Sequence, residues 1–338
     1  MCSRLLWCSV GHPVLVGRNW DWTDVVVTEL YTTPKGIERS GMTPTNQMRW
    51  RAKYASVAAV AWEAVTGGGI NEAGLSVNVL YLAESDFGDR DNARKGVCCS
   101  VWAQYYLDSF ATVAEAVEAA KSIQVVPFKV VHKGELGEST VHMEVADASG
   151  DSAIIEILDG KPVIHHGKQY KVVANSPTYD EQLALMKEYE GLGGSKPVPG
   201  GSQSDERFVR GAFYAQMLPE QPASYQAAVS GVLSIMRNMS TPFGMDDPDK
   251  PNISATRWRT IADLTNKRYY FEFSDMPNVV WIDLSKLNLK KRAPVQRFDM
   301  ASDIDASGEI SGKFRPTKPV DFYTEGSTVT WKPTTKTR

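Results

Sequence analysis

Two groups of strand-like segments, each accompanied by amphipathic helices, constrain the fold of this chain more than any other feature. The first group opens at residues 2–22, where two apolar runs flank Gly-His-Pro and predict a β-hairpin. Further strands are predicted at 56–62, 75–82, 142–146, 152–158, 161–166, 170–174, 257–263, 268–273 and 279–283, and helices at 100–110, 112–121, 179–189, 204–217 and 224–237. This order indicates two antiparallel sheets that pack face to face, with helices covering their outer faces.

We therefore predict an α+β fold, a four-layer αββα sandwich of two antiparallel sheets, in a single domain that spans residues 2–338. A plain α+β domain with one sheet stays open from periodicity alone. Gly67, Gly68 and Gly69 are interpreted as a turn between two strands, because their spacing and surroundings do not fit a phosphate-binding loop. Residues 191–203, rich in Gly, Ser and Pro, are predicted to form an exposed loop within the domain.

The composition limits the classes of partner. Hydrophobic residues make up 42% of the 338 residues, enough for a large core, and 37 Lys and Arg against 40 Asp and Glu give a net charge of -3. This balance argues against nucleic-acid binding. The chain lacks an apolar run of the roughly 18 to 20 residues that cross a bilayer, and we expect no membrane or targeting segment. The expected compartment is the cytoplasm, or the periplasm if a cleaved signal peptide normally precedes Cys2.

The cysteines do not predict a disulfide framework or a zinc site. Cys2, Cys8, Cys98 and Cys99 are few for a chain of this length, and none of the CxxC spacings that hold zinc occurs. Cys98 and Cys99 open an apolar stretch and are interpreted as small packing residues. We expect neither a metal nor a cofactor.

Cys2 directly follows Met1, so removal of Met1 gives this thiol a free α-amine on the same residue. A free thiol has a pKa of about 8.5 and an α-amine one of about 7.7 to 8.0, so the amine can accept the thiol proton near neutral pH. The hairpin brings Arg18 and Asp21 back beside Cys2. A guanidinium there favours the thiolate, and a carboxylate orients the amine, although a structural ion pair explains the same two residues.

Asn175 ends a predicted strand before a proline turn, in Val-Val-Ala-Asn-Ser-Pro. A side-chain amide at such a place is suited to donate a hydrogen bond to the oxyanion formed in acyl transfer. Asn is also a common turn residue, so the residues alone leave both roles open.

Five short motifs resemble those of the choloylglycine hydrolase family, in the family's order and at compatible distances. They are Met-Cys-Ser-Arg at the N-terminus, Gly-Arg-Asn-Trp-Asp-Trp at 17–22, Asn-Glu-Ala-Gly-Leu at 71–75, Ala-Asn-Ser-Pro-Thr-Tyr at 174–179 and Ser-Asp-Glu-Arg-Phe-Val-Arg at 204–210. The resemblance extends from residue 2 to about residue 285. The family comprises penicillin V acylases and conjugated bile salt hydrolases, and the resemblance implies the αββα fold of N-terminal-nucleophile (Ntn) hydrolases.

The resemblance also implies the site residues. Cys2 would be the nucleophile, with its own amine as the base, and Asn175 would lie in the oxyanion hole. Arg18 and Asp21 would surround Cys2, and the supporting charge network would contain Arg207, with Arg210 as a lesser candidate.

Tyr81 falls at the remaining family position. Bile salt hydrolases usually have Asn there, whereas penicillin V acylases often have Tyr, so this residue favours the acylase branch. Together with Trp20, Trp22 and Phe87, Tyr81 is predicted to line an apolar pocket for the acyl group. Core packing explains some of these aromatic residues equally well.

We therefore expect hydrolysis of linear amide C–N bonds in small-molecule acyl amides, as in penicillin V acylases, with acylase activity on N-acyl homoserine lactones as a further expectation. A conjugated bile salt hydrolase is one alternative. A non-catalytic binding protein that keeps Met1 is another. A homo-oligomer is expected. The 191–203 loop is shorter than the one that joins subunits in many bile salt hydrolase tetramers, so both tetramer and dimer stay open.

Overall fold

The N-terminal hairpin lies in the middle of a seven-stranded sheet in the computed structural model, which describes residues 1–132, 134–245 and 254–330. Strands β1 (Cys2–Trp7) and β2 (Leu15–Asp21) pair antiparallel, with Cys2 opposite Trp20. In order across the sheet the strands are β16 (Val172–Val173), β1, β2, β17 (Thr256–Asp263), β18 (Arg268–Phe273), β19 (Val279–Asp283) and β21 (Gly308–Glu309). Neighbouring strands are antiparallel except for β19 and β21. Residues 331–338 of the predicted domain lie outside the described ranges.

A second, nine-stranded sheet is antiparallel throughout. In order its strands are β15 (Lys161–His166), β14 (Ser152–Leu158), β13 (Val141–Ala146), β8 (Ser76–Tyr81), β7 (Val65–Asn71), β6 (Ser56–Ala61), β3 (Thr28–Thr33), β20 (Gln296–Phe298) and β22 (Arg315–Pro316). The other described strands form three small sheets. They are β4 (Glu38–Ser40) with β5 (Arg49–Arg51), β9 (Lys95–Cys98) with β10 (Ile123–Val126), and β11 (Lys129–His132) with β12 (Glu135–Glu138) and β23 (Thr328–Thr330).

Helices cover the outer face of each large sheet. They are α1 (Cys99–Ser109), α2 (Val113–Ser122), α3 (Tyr179–Met186), α4 (Ser204–Ala215) and α5 (Tyr225–Asn238). Helices α4 and α5 pack on β1 and β2, whereas α1 packs on β7 and β8, and α2 packs on β14. The predicted capping box starts α2, since Thr112 accepts from the Glu115 amide while the Glu115 carboxylate accepts from Thr112. The four layers are therefore helices, sheet, sheet and helices, as predicted.

The two sheets meet along β8, which faces β1 and β2. The Arg18 guanidinium crosses this interface, and its Nη2 donates to the Val79 carbonyl at 2.8 Å. The far end of β8 lies beside Asn175, whose Nδ2 donates to the Tyr81 carbonyl at 2.6 Å. Of the residues predicted for catalysis, Cys2 and Arg18 therefore face the interface between the sheets, and Asn175 lies at the end of β8.

The prediction of a turn at Gly67, Gly68 and Gly69 is wrong, because all three lie within strand β7. A Cβ at Gly67 would meet Trp20 Cζ3 at 2.8 Å, and one at Gly68 would meet Asn78 Oδ1 at 2.0 Å. Glycine is required here by the close approach of neighbouring side chains rather than by a change of chain direction. The predicted strand at 170–174 is also shorter than expected, spanning only Val172–Val173.

None of the helices in the described ranges has both the length and the hydropathy needed to cross a membrane. Within the same ranges, His, Cys, Asp and Glu side chains form no group of three or more that could hold a metal ion.

Candidate active site

Cys2 begins the first strand and lies beside a buried arginine. Its side chain is only 3% exposed, and Arg18 Nη2 lies 3.3 Å from the Cys2 Sγ. Arg18 comes from β2, on the same face of the sheet as Cys2, because alternate residues of a strand share a face and Cys2 pairs with Trp20. The predicted contact between these two side chains is therefore present.

The side chains behind this contact carry more positive than negative charge. Arg4 lies directly opposite Arg18 in the pairing of β1 with β2, and its Nε is 2.9 Å from Glu144 Oε2. Arg4, Arg18 and Glu144 are all fully buried. Burial raises the pKa of Glu144, while Arg4, Asn78 and Arg18 act to lower it. Even with Glu144 ionised, two guanidinium groups face one carboxylate, which leaves a net positive charge beside the Cys2 thiol.

Arg207 connects Asp21, Cys2 and Asn175 from the other side of the sheet. Its Nη1 is 3.2 Å from Asp21 Oδ2 and donates to the Cys2 carbonyl at 2.8 Å, and its Nη2 donates to Asn175 Oδ1 at 2.9 Å. Both Arg207 and Asp21 are fully buried. Asp21 also accepts from Thr256 Oγ1 at 2.6 Å. The predicted charge network therefore exists, with Arg207 at its centre.

Both the oxygen and the nitrogen of the Asn175 side-chain amide form hydrogen bonds. Oδ1 accepts from the Cys2 backbone nitrogen at 2.7 Å, while Nδ2 donates to Tyr81 O. A side-chain amide carries two hydrogens on its nitrogen, so a second one is available to an acceptor beside Cys2. This geometry is compatible with the predicted oxyanion role.

The backbone around Asn175 is fixed by side chains from three elements. Its amide nitrogen donates to Ser204 Oγ at 2.8 Å, at the start of α4. Gln182 of α3 donates to the Asn175 carbonyl and, at 2.6 Å, to the Pro177 carbonyl. His142 of β13 is fully buried, and its Nε2 lies 3.0 Å from the Ala174 carbonyl, so that nitrogen carries the hydrogen.

Met1 continues strand β1 by one residue. Its carbonyl accepts from the Asp21 amide nitrogen at 2.7 Å, and its α-amine donates to the Asp21 carbonyl at 2.5 Å. Burial lowers the pKa of this amine, while Cys2 and Asp21 act to raise it. Asp21 therefore orients the terminal amine through its backbone, and its carboxylate instead pairs with Arg207.

A cavity of about 360 Å³ opens beside Cys2 and Met1. Its wall is mainly apolar and aromatic, and includes Trp20, Trp22, Trp62, Val65, Val79, Tyr81, Cys99, Phe128, Val130 and Leu136. Three of the four residues predicted for the acyl pocket are in this list. Phe87 is not; it is 3% exposed and packs in the core that contains α1, so its apolar character reflects packing.

Several residues of the site are not indicated by any local sequence pattern. Thr256 and Trp258 lie on β17, far along the chain, and reach the site only because β17 pairs with β2. Glu144 lies on the other sheet. The lesser candidate Arg210 contributes no contact to Cys2; its Nη1 donates to the carbonyls of Pro199, at 3.4 Å, and Gly201, and so ties down the 191–203 loop.

This chain is similar to known proteins over most of its length. Residues 2–304 match the family model described as linear amide C-N hydrolases, choloylglycine hydrolase family. A penicillin V acylase from Pectobacterium atrosepticum is 39% identical over 95% of this chain and 92% of its own length. A solved penicillin V acylase from Agrobacterium tumefaciens is 42% identical, covers 96% of this chain and 100% of its own, and superposes with a TM-score of 0.87.

Bile salt hydrolases are more distant. A conjugated bile acid hydrolase from Clostridium perfringens is 19% identical with a TM-score of 0.74, covering 88% of this chain and 97% of its own, a likeness that concerns the fold. The predicted αββα sandwich of the Ntn-hydrolases is therefore confirmed.

Proposed function

Because the chain belongs to the choloylglycine hydrolase family of linear amide C–N hydrolases, we propose that Cys2, freed of Met1, is the nucleophile of an acylase that cleaves linear amides with an apolar acyl group. Penicillin V, with its phenoxyacetyl group, represents the substrate class that we favour.

The observation that carries this proposal is the contact of Arg18 Nη2 with Cys2 Sγ at 3.3 Å. Arg18, Arg4 and Glu144 together hold a net positive charge away from water, where an uncompensated charge is costly. A thiolate at Cys2 would supply the missing negative charge. The cluster thus favours the reactive form of this cysteine.

The reaction follows from the positions of the other groups. The free amine of Cys2 takes the thiol proton, and the sulfur attacks the amide carbonyl. The resulting oxyanion accepts from Asn175 Nδ2 and a second donor. As the C–N bond breaks, the Cys2 ammonium returns the proton to the leaving amine. Water then attacks the thioester with the amine again as base, which releases the carboxylic acid and restores the thiol.

Arg207 and Asp21 hold this arrangement in place. Arg207 donates both to the Cys2 carbonyl and to Asn175 Oδ1, so it sets the distance between nucleophile and oxyanion donor. Asp21 neutralises Arg207 at 3.2 Å, and Asn175 Oδ1, which accepts from the Cys2 nitrogen at 2.7 Å, orients the amine that removal of Met1 frees. Cys2, Arg18, Asp21, Asn175 and Arg207 are thus proposed as the catalytic set.

The cavity supports an apolar acyl group. Its 360 Å³ and its aromatic wall, with Trp20, Trp22 and Tyr81, suit a phenoxyacetyl group or a fatty acyl chain. Acylase activity on N-acyl homoserine lactones is therefore a second candidate function, because these lactones carry fatty acyl chains. The alternative of a conjugated bile salt hydrolase has less support, since the bile salt hydrolases from Lactiplantibacillus plantarum and Clostridium perfringens are only 21% and 22% identical to this chain.

Hydrolysis of penicillin V, glycocholate and a long-chain N-acyl homoserine lactone should be compared, with intact-mass measurement of the same preparation. We expect loss of Met1 and preference for penicillin V or the lactone. The Cys2→Ala variant should lose turnover and keep the thermal midpoint of the wild type. A clear preference for glycocholate would contradict the branch assignment. A chain that keeps Met1 and hydrolyses none of these amides would instead support a non-catalytic binding protein.

A homo-oligomer, dimer or tetramer, is also part of the proposal. An interface between subunits would cover apolar side chains that are exposed in the isolated chain, such as Val10, Met217 and Phe243. Light scattering of the purified protein, coupled to gel filtration, tests this directly; a monomer at micromolar concentration would contradict it.

A further inference from the structure

Arg18 is held against two neighbouring indole rings rather than by a carboxylate. Its guanidinium carbon lies 4.4 Å from the ring centre of Trp20 and 4.5 Å from that of Trp258. Across the described ranges no carboxylate lies within 4.0 Å of it, and its Nε and Nη1 have no hydrogen-bond partner. Only Nη2 is bonded, to Cys2 Sγ and the Val79 carbonyl.

The strand register explains why both indoles reach this arginine. Trp20 is opposite Cys2 in one pairing and opposite Trp258 in the next, so these three side chains form a row across β1, β2 and β17. Arg18 starts one row further along the same face, opposite Arg4 and Thr260. Arg4 pairs with Glu144 at 2.9 Å, so the guanidinium without a carboxylate is that of Arg18.

The indoles of Trp20 and Trp258 differ in their exposure to the cavity. Trp20 forms part of the cavity wall, whereas Trp258 is fully buried outside that wall. Trp258 is itself rigidly held, since its Nε1 donates to Thr28 Oγ1 at 3.0 Å and its ring stacks on Phe271 with centres 5.2 Å apart. Trp258 also stacks on Trp20, with ring centres 5.2 Å apart, so a change at Trp258 acts on Arg18 directly and through Trp20 without removing a cavity-lining residue.

We infer that Trp258 is a positioning residue for catalysis: its indole face holds the unpaired Arg18 guanidinium against the Cys2 thiol. This inference rests on the proposed role of Cys2. A cation over an indole face is stabilised by the ring quadrupole, and in a desolvated site the contact changes an equilibrium by roughly tenfold to thirtyfold. Without this face, the guanidinium would reorient its two unbonded nitrogens toward water or toward Glu144.

The other ionisable groups around Arg18 and Cys2 come from five elements and the chain terminus. They are Arg4 on β1, Asp21 on β2, Glu144 on β13, Arg207 on α4, Tyr269 on β18 and the terminal α-amine. Trp258 carries no charge in the accessible pH range, so its removal changes none of them directly.

The test is the rate at which iodoacetamide alkylates Cys2, measured by peptide mapping from pH 5 to 9, because this reaction reports the thiolate and forms no oxyanion. Trp258→Leu should slow alkylation at pH 6.5 about tenfold and move the pH of half-maximal rate upward. Trp258→Phe, which keeps an aromatic face, should stay within about threefold of the wild type. Trp102→Phe, at an equally buried indole in the core that contains α1, is the matched control and should leave the profile unchanged.

A double-mutant cycle with Arg18→Met separates positioning from general loosening of the core. In the Arg18→Met background, Trp258→Leu should have no further effect on alkylation. An equal effect in both backgrounds would overturn the inference, as would a Trp258→Leu profile identical to the wild-type one. Should Trp258→Leu fail to fold, the same cycle is run with Trp258→Phe at higher precision. Alkylation of Cys2 does not require amide turnover. If the Cys2→Ala variant still hydrolysed amides, the proposed function would be contradicted, whereas the alkylation result for Trp258 would still stand.

Discussion

Replacing Asn175 tests the proposed oxyanion hole most directly, because its donor and its acceptor can be removed separately. Asn175→Ala removes both. Asn175→Asp keeps an oxygen to accept from the Cys2 nitrogen at 2.7 Å and from Arg207 at 2.9 Å, but it removes the Nδ2 donor. If the donor stabilises the oxyanion, both variants should lose activity to a similar degree.

The expected magnitude follows from the contacts. Loss of one oxyanion donor typically lowers kcat by about 10² to 10³, with KM little changed. Asn175→Ala also removes three hydrogen bonds, to Cys2, Arg207 and Tyr81, which corresponds to about 3 kcal/mol of unfolding free energy at about 1 kcal/mol each. Asn175→Asp keeps two of these bonds but turns a carboxylate oxygen toward the Tyr81 carbonyl, so its unfolding free energy should also fall.

The assay combines three measurements on each protein. They are kcat and KM with penicillin V, the thermal midpoint, and the rate of Cys2 alkylation. Alkylation should stay within about threefold of the wild type in Asn175→Ala, because no oxyanion forms in it. Asn266→Ala, in a surface turn where Asn266 bonds only to Asp263 in the described structure, is the control for loss of an amide. A kcat for Asn175→Asp within threefold of the wild type would refute the donor role.

Three further predictions follow from the same geometry. Asp21→Asn leaves the buried Arg207 without its carboxylate and should lower the unfolding free energy, measured in urea, by about 3 to 5 kcal/mol. Glu118→Gln, in an exposed pair with Lys121, should change the unfolding free energy by nothing measurable. Equal effects would show that burial of the ion pair is unimportant. Val65→Phe, in the cavity wall, should lower kcat/KM for long acyl chains about tenfold more than for short ones, and a uniform loss would contradict the acyl pocket. A form that keeps Met1 should gain unfolding free energy as pH rises to about 8 and then level off, because burial lowers the pKa of its amine from 8.0 and the unfolded chain binds more protons only below that value. An N-acetylated Met1 form should lack this slope.

Local sequence patterns predicted the parts of the site that are close along the chain. The hairpin placed Cys2 near Arg18 and Asp21, because strand pairing and a short turn are sufficient to bring them together. Asn175 was recognisable as the end of a strand, but its proximity to Cys2 depends on β16 pairing with β1. The role of Arg207 came only from the resemblance, since nothing in its own helix indicates which face of the sheet it meets.

What could not be predicted depends on pairings between distant strands and on packing between the sheets. Trp258 and Thr256 approach the site through the pairing of β17 with β2, and Glu144 approaches it across the interface between the sheets. Phe87 illustrates the opposite error, because an aromatic residue near the motifs can equally belong to the core. Without contact information, a buried indole beneath an arginine and a buried indole in the core look alike in the sequence.

The glycine run in β7 means that the chemistry of the site is sensitive to a strand that contributes none of the proposed catalytic residues. Asn78, which a Cβ at Gly68 would contact at 2.0 Å, donates to Glu144, and Trp20, which a Cβ at Gly67 would contact at 2.8 Å, lies against Arg18. A single methyl at either position would thus disturb the charge balance around the thiol from a distance. In a saturation mutagenesis screen scored on turnover, these glycines would rank with the catalytic residues, although neither of them touches a substrate.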